Sequence, residues 1–293
     1  MLQQAKDLLS FKAFKPSKHD VKVPLVERFL GEGPLMGISI SKDCLSLAEI
    51  EYTHNSAIVV KNVKSCTFST EEEMINAIIS FAKGNELFYT ILLNSPGIQV
   101  IKLDKDLSKK GIDRICDAKH EISQIQEMIK EQVEEGRAYA YASNRTFPET
   151  LIFSYDQTIV DYNVNLVNSL GLEVVRTGCG IYGILNYLFN ENSEFFHQDK
   201  ILFIYSNDSL IIGSIGESKF QQVGFRSNIV AKDLQCHISR MIERFDHKHS
   251  QLSYINCSHW PIEMYFTKHY PGLKISPIFQ DSFIGTFESV CHG

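Results

Sequence analysis

The stretch KILFIYSNDSLIIGSIGESKFQQVG, residues 200–224, decides the fold of this chain. In it, short runs of apolar and β-branched residues are separated by polar turn formers, which is the pattern of consecutive antiparallel hairpins. The predicted strands are Ile201–Tyr205, Ser209–Ile215 and Phe220–Val223. We therefore expect a three-stranded meander in this part of the chain.

An earlier part of the chain repeats this pattern. Its predicted strands are Met36–Ile40, Leu45–Tyr52 and Ser56–Phe68. Each copy is followed by segments in which helical and strand patterns alternate, which is typical of α/β architecture with mixed sheets. The helix after the first meander is expected to be capped by Thr70 or Ser69 and to end at Gly84, and Ser282–Val290 is expected to be the last helix. Two like meanders in one chain predict a duplicated α/β fold, with a first half at 35–198, a second half at 199–293 and a cleft between them.

Length and composition limit the class of protein. At 293 residues, with 44% hydrophobic and 22% charged residues, the chain has the length of about two domains, or of one large duplicated domain, and is long enough for a sizeable core. No apolar run reaches the roughly 18–20 residues of a membrane helix, and residues 1–20 lack the apolar core of a signal peptide, so we expect a cytoplasmic protein. The net charge of −6 argues against nucleic acid as a partner. The seven scattered cysteines are expected to be reduced thiols.

Two segments differ from the repeated pattern. Residues 1–34 mix basic residues with prolines and glycines, which is compatible with a surface leader or with a weak membrane or partner contact. The longest helical pattern covers Asp106–Glu135 and is followed by a predicted strand at Arg137–Arg145.

The order of these elements resembles the superfamily of actin and the sugar kinases, with its ribonuclease-H-like halves. Within it, ETLIFSYDQTIVDYNVNLVNSLGLEVVRTGCGIYGILNYL, residues 149–188, is similar to the type IV pilus assembly family called PilM. There a strand, a helix ending in a Gly-Leu turn, a short strand and a second helix occur in the same order. Met36–Glu51 and the break at Asn94–Gly97 also match, so the resemblance covers residues 35–280 by order and pattern.

The resemblance implies an actin-like fold with a small inserted subdomain, here roughly 104–148. It also implies a protein peripheral to the inner membrane that holds the short cytoplasmic tail of a membrane partner, called PilN, in a groove beside the insert. We expect the long helix and the strand after it to form the groove walls. The residues expected to bind the partner are Ile122, Ile125, Ile129, Tyr139 and Tyr141. Plain packing at an edge strand is the alternative for the tyrosines.

Nucleotide chemistry in this superfamily needs a carboxylate at the end of the first strand of each meander, and glycine in the turns so that backbone amides approach phosphate. The corresponding positions here are Ser39, Ser41 and Lys42 in the first turn, Tyr205, Asn207 and Asp208 in the second, and Cys257 and Ser258 in a later turn that is normally glycine-rich. Neither strand ends in a carboxylate. Two alternatives stay open for Lys42 and Asp208: a phosphate contact with a displaced metal ligand, or two exposed turn residues.

These departures predict a protein without catalysis. Replacing one charge-assisted contact by a neutral one costs about 1.5–3 kcal/mol, so the loss of three predicts no cofactor, no ATP hydrolysis, and weak or absent binding of ATP and Mg²⁺. We therefore expect a non-catalytic adaptor of a type IV pilus or type II secretion platform. The alternatives are an active ATP-hydrolysing actin-like protein or phosphotransferase, and a plain structural module without a groove.

Other groups of reactive residues carry weaker hypotheses. The cysteines and histidines Cys236, His237, His247, His249, Cys257 and His259 match no zinc-site spacing, so no metal is expected. Cys179 lies in a glycine-flanked turn, but no recognisable base accompanies it. Asp156 is expected to cap a helix rather than to form an acid pair with Asp161.

Overall fold

The computed structural model describes residues 34–42, 44–52, 58–94, 98–103, 137–143, 150–190, 193–206, 208–217, 219–229, 233–243, 251–258 and 260–292. The strands in this part of the chain are β1 (Leu35–Ile40), β2 (Cys44–Tyr52), β3 (Ile58–Thr67), β4 (Tyr89–Asn94), β5 (Gln99–Leu103), β6 (Arg137–Ser143), β7 (Thr150–Asp156), β8 (Glu173–Gly178), β9 (Lys200–Ser206), β10 (Ser209–Gly216), β11 (Lys219–Arg226), β12 (Gln251–Asn256) and β13 (Lys274–Pro277). The α-helices are α1 (Glu71–Asn85), α2 (Gln157–Ser169), α3 (Gly180–Asn190), α4 (Leu234–Ile242), α5 (Ile262–His269) and α6 (Ser282–His292).

Two five-stranded sheets share one topology. The strand order is β3-β2-β1-β4-β8 in the first sheet and β11-β10-β9-β12-β13 in the second. In each, three antiparallel strands form the predicted meander, and the other two strands run parallel to its first strand. The duplication confirms the predicted mixed α/β fold class.

A third, antiparallel sheet has the order β5-β7-β6 and lies between β4 and β8 along the chain. The predicted insert covers residues 104–148. Strand β5 precedes it in the chain and β7 follows it, so the small sheet also includes residues outside the predicted boundaries. The predicted helix Asp106–Glu135 lies outside the described residues, as does most of the predicted leader.

The outer face of each sheet is covered by helices of its own half. In the first half, Ile38 of β1 is buried with Ile78 of α1 and Val167 of α2. In the second half, Phe203 of β9 is buried with Phe266 of α5. Side chains alternate along a strand, so each sheet has a second face on the opposite side. That face is also apolar here and therefore needs its own cover.

The inner faces are covered by two helices that are exchanged between the halves. Helix α3 follows the first sheet in sequence, yet Ile184 packs with Leu202 of the second sheet. Helix α6 follows the second sheet, yet Phe287 packs with Leu35 and Ile50 of the first. The two exchanged helices also contact each other. The layers are therefore helices, sheet, α3 with α6, sheet and helices.

A glycine in each sheet makes room for an aromatic ring. A Cβ atom on Gly37 would lie 2.7 Å from Cε1 of Phe287, which is buried in the first core. In the second sheet, a Cβ atom on Gly213 would lie 2.5 Å from Cε1 of Phe220. Real Cβ contacts are longer, so the absence of a side chain at each position allows the close approach.

Helix α1 begins where the sequence predicts and ends later. Thr70 Oγ1 accepts from the backbone N–H of Glu73 at 3.2 Å, and Glu73 Oε2 accepts from the N–H of Ser69 at 2.7 Å, which is a variant of the capping box in which the second bond goes to the residue before the cap. The expected end at Gly84 is wrong, because the left-handed residue is Glu86, with φ 53°. The chain turns there because Leu87 is buried and its N–H donates to the carbonyl of Ala82.

Helix α2 has the predicted cap. Asp156 Oδ1 accepts from the backbone N–H of Thr158 at 2.9 Å. Hydrogen bonds from the Thr158 hydroxyl and from the Thr158 backbone N–H hold the pKa of the Asp156 carboxyl below its usual value. Gly171, with φ 84°, follows the helix in the left-handed conformation that favours glycine. Asp161 instead accepts from Gln157 Nε2 at 2.7 Å, so the two acids have separate structural contacts.

Candidate functional site

The turns of the two meanders meet between the halves. In the first turn, the backbone N–H of Ser41 donates to the carbonyl of Cys44 at 2.8 Å. The backbone N–H of Lys42 donates to the Oδ2 atom of Asp208, which lies in the turn between β9 and β10. Lys42 and Asp208, for which the sequence leaves two alternative roles, therefore contact each other. The sequence did not predict this contact, since 166 residues separate the partners.

Tyr205 lies near the end of β9, at the position where nucleotide chemistry would need a carboxylate in the second meander. Tyr205 is buried among the residues that pack under α4 and α5, and its hydroxyl donates to the carbonyl of Ile229 at 2.8 Å. The corresponding residue of the first meander is Ser39, which lies in β1 opposite Ser46 of β2. Asn207, the remaining predicted position in the second turn, lies outside the described residues.

The later turn, which lacks glycine, is closed by its own polar groups. Ser258 Oγ donates to Asn256 Oδ1 at 2.6 Å and accepts from the backbone N–H of Trp260 at 3.2 Å. The side-chain amide of Asn256 donates to the carbonyl of Trp260 at 2.8 Å. These short-range bonds engage the side chains of Asn256 and Ser258 and the backbone of Trp260 within the turn itself.

The start of α6 completes the site, and no sequence motif assigned it a role there. Ser282 Oγ accepts from the backbone N–H of Asn256 at 3.0 Å. Thr286 Oγ1 lies 3.1 Å from the sulfur of Cys257. Burial raises the pKa of the Cys257 thiol to about 12, so this thiol is neutral and a poor nucleophile at physiological pH. Asp281 caps this helix start, because its Oδ1 accepts from the backbone N–H groups of Phe283 and Ile284.

The predicted partner groove is described only in part. Tyr139 and Tyr141 lie on β6, opposite Ser154 and Ile152 of β7. The three isoleucines expected in the groove, Ile122, Ile125 and Ile129, lie outside the described residues, so their role stays a prediction.

A narrow pocket that the sequence did not predict lies where β4 and β8 end and α3 begins. Its walls are mainly apolar and include Phe153 of β7, Val160 of α2 and Tyr182 of α3. Asn94 also lines it, and its side-chain nitrogen is buried without a hydrogen-bond acceptor among the described residues. The small sheet thus meets the first half at a mainly apolar recess, into which Asn94 brings a buried side-chain nitrogen without an acceptor among the described residues.

The described residues give no sign of a metal site or of a membrane-spanning helix. Within these ranges, no three His, Cys, Asp or Glu side chains are grouped as metal ligands would be. Cys236 is exposed, whereas Cys257 lies beside α6, and His247, His249 and His259 fall outside the described residues. None of the described helices combines the length and the apolar character needed to cross a bilayer.

Comparison with known proteins identifies the fold. No protein-family model matches the chain, and no curated protein matches it in sequence. A Bacteroides thetaiotaomicron protein of actin-like ATPase fold and unknown function matches with a TM-score of 0.51 and 11% identity, over 89% of this chain and 96% of that one. A chain of the PilM–PilN type IV pilus biogenesis complex matches with a TM-score of 0.57 and 10% identity, over 88% and 96%.

A third solved structure is the cytoplasmic domain of EpsL, an inner membrane component of the type II secretion system of Vibrio cholerae. It matches with a TM-score of 0.45 and 9% identity, over 89% of this chain and 94% of that domain. The first two likenesses show that the chain has the actin-like ATPase fold, in a form similar to that found in the PilM–PilN complex.

Proposed function

We propose that this chain is a non-catalytic adaptor of a type IV pilus or related secretion platform, which holds the short cytoplasmic tail of an inner-membrane protein. The observation that carries the proposal is the structural likeness to the PilM–PilN complex, which extends over 88% of this chain. The proposed location is the cytoplasmic side of the inner membrane. The proposed binding site is the groove beside the small sheet.

The chemistry of the turns supports the absence of catalysis. A Mg²⁺ ion bound to nucleotide needs carboxylate oxygens near the phosphates, directly or through water. Here Ser39 and Tyr205 stand near the strand ends, and the Asp208 carboxylate bonds to the opposite turn. The proposed adaptor therefore works by recognition, with no nucleotide cycle.

The groove is tested by replacing residues 104–136 with a short Gly-Ser linker and measuring the binding of peptides. The probes are synthetic tails of inner-membrane pilus proteins from the same organism. We expect one tail to bind the full chain and to lose binding to the shortened chain, while β5, β6 and β7 are retained. A matched control is Lys268→Ala, an exposed change on the outer helix α5. Undiminished binding by the shortened chain would contradict the groove.

The absence of a nucleotide cycle is tested separately by calorimetry with Mg-ATP. We expect no heat of binding at micromolar concentrations, because three contacts worth about 1.5–3 kcal/mol each are missing. Micromolar affinity, or release of phosphate by the purified chain, would favour the alternative of an active ATPase or phosphotransferase. This result is independent of the tail-binding result, so the two parts of the proposal stand or fall separately.

A further inference from the structure

The contact between the two turns joins a backbone amide of one half to a carboxylate of the other. The amide belongs to Lys42, and the acceptor is Oδ2 of Asp208. An amide that protrudes from a tight turn is a ready ligand for an anionic oxygen, because nothing within the turn accepts its hydrogen. In this structure the anionic oxygen comes from the chain itself.

Each partner is held in place by its own turn. The first turn is closed by the bond from the Ser41 amide to the Cys44 carbonyl. The second turn places Asp208 in the left-handed region, with φ 58°, and its carbonyl accepts from the amide of Ile229 at 3.0 Å. Asparagine, aspartate and glycine are the residues that adopt this conformation most readily. The carboxylate is therefore presented to the opposite half by fixed backbone geometry.

We infer that the Lys42 amide is an oxyanion-binding position that this chain fills with its own Asp208 carboxylate. The ligand class of the position is a single anionic oxygen, as in phosphate or a carboxylate. An intramolecular ligand acts at a high effective concentration, so a free anion does not displace it. The inference goes beyond the proposed function, because it makes contact between the halves independent of any bound nucleotide.

Two substitutions separate the carboxylate from the backbone that carries it. Asp208→Gly removes the acceptor and suits a positive φ, whereas Asp208→Asn also suits a positive φ and keeps a carbonyl acceptor. Glu86→Gly is the matched control, because Glu86 also has a positive φ, 53°, and lies at the end of α1. Glycine and asparagine both adopt a positive φ readily, so none of the three substitutions introduces backbone strain at its position.

The readout is the Lys42 amide resonance in nuclear magnetic resonance spectra, with inorganic phosphate as the probe. In Asp208→Gly we expect solvent exchange of this amide to be about ten- to hundredfold faster, the range of a lost charge-assisted bond. We also expect phosphate to move its resonance. In the wild type, Asp208→Asn and Glu86→Gly, phosphate leaves the resonance in place.

Three results would overturn the inference. One is an equal phosphate response in the wild type and in Asp208→Gly, which would mean that the position is open in the native chain. Another is unchanged exchange at Lys42 in Asp208→Gly. The third is faster exchange without any phosphate response, which would remove the assignment as an oxyanion position.

Discussion

Single glycines set the distance between the exchanged helix α6 and the first sheet. Gly37 faces Phe287, and the space that a side chain would need is taken by the ring. Gly84, by contrast, lies on the exposed face of α1, and a Cβ atom added there would have no neighbouring atom within 4 Å. A side chain is therefore excluded by packing at Gly37, whereas at Gly84 there is room for one.

At this scale we predict opposite effects of two identical substitutions. Gly37→Ala should lower the free energy of unfolding by about 1–3 kcal/mol, because the added methyl overpacks a buried site. Gly84→Ala should raise it by about 0.5–1 kcal/mol, because alanine favours the helix and restricts the unfolded chain. Urea unfolding curves measure both. A tolerated Gly37→Ala would show that Phe287 is less tightly packed than described.

Individual site residues were predictable only where the signal is local. Thr70 and Asp156 were identified as caps because a cap and its amides lie within three residues. Lys42 and Asp208 stood out as unusual turn residues, but their contact depends on how the halves close. No pattern within either turn encodes that distance.

At the scale of elements, strands and hairpins follow from the sequence, whereas helix placement does not. The meanders were predictable because apolar alternation and turn formers act over a few residues. The residues of α6 were also predicted as helical. Its position on the first sheet was not, because an amphipathic pattern shows that a helix has an apolar face but not which sheet covers it. The partner of Phe287 is at the other end of the described chain.

The docking of α6 is tested with a double-mutant cycle. Phe287→Ala should cost about 3–5 kcal/mol of unfolding free energy, the range for a buried phenylalanine, while Phe88→Ala, at a residue 65% exposed, should change it by less than about 0.5 kcal/mol. In the Phe287→Ala background, Gly37→Ala should lose most of its penalty, since the ring it meets is gone. Additive effects of the two changes would contradict the described contact.

At the scale of the whole molecule, the exchanged helices make the two halves interdependent. Helix α3 fills the inner core of the second sheet, and α6 fills that of the first. Within the part of the chain that the structure describes, each sheet has part of its core supplied by a helix of the other half. We therefore expect the two sheets to unfold together, in one cooperative transition.

Cooperativity is measurable because the chain contains one tryptophan, Trp260, which lies in the second half. We expect its fluorescence and the far-ultraviolet circular dichroism to give coincident urea transitions. We further expect Gly37→Ala, a change in the first half, to shift the Trp260 midpoint as much as it shifts the dichroism midpoint. A Trp260 transition that ignores this change would show that the halves unfold separately.

The exchange of α6 also has a consequence for biosynthesis. Gly37 and the ring of Phe287 that covers it are separated by about 250 residues of chain. At translation rates of about 5–20 residues per second, the ribosome needs roughly 12–50 seconds to travel from one to the other. From the completion of β8 until α6 has been made, the nascent first sheet has an apolar face without its native cover, which makes the growing polypeptide a natural client for chaperones.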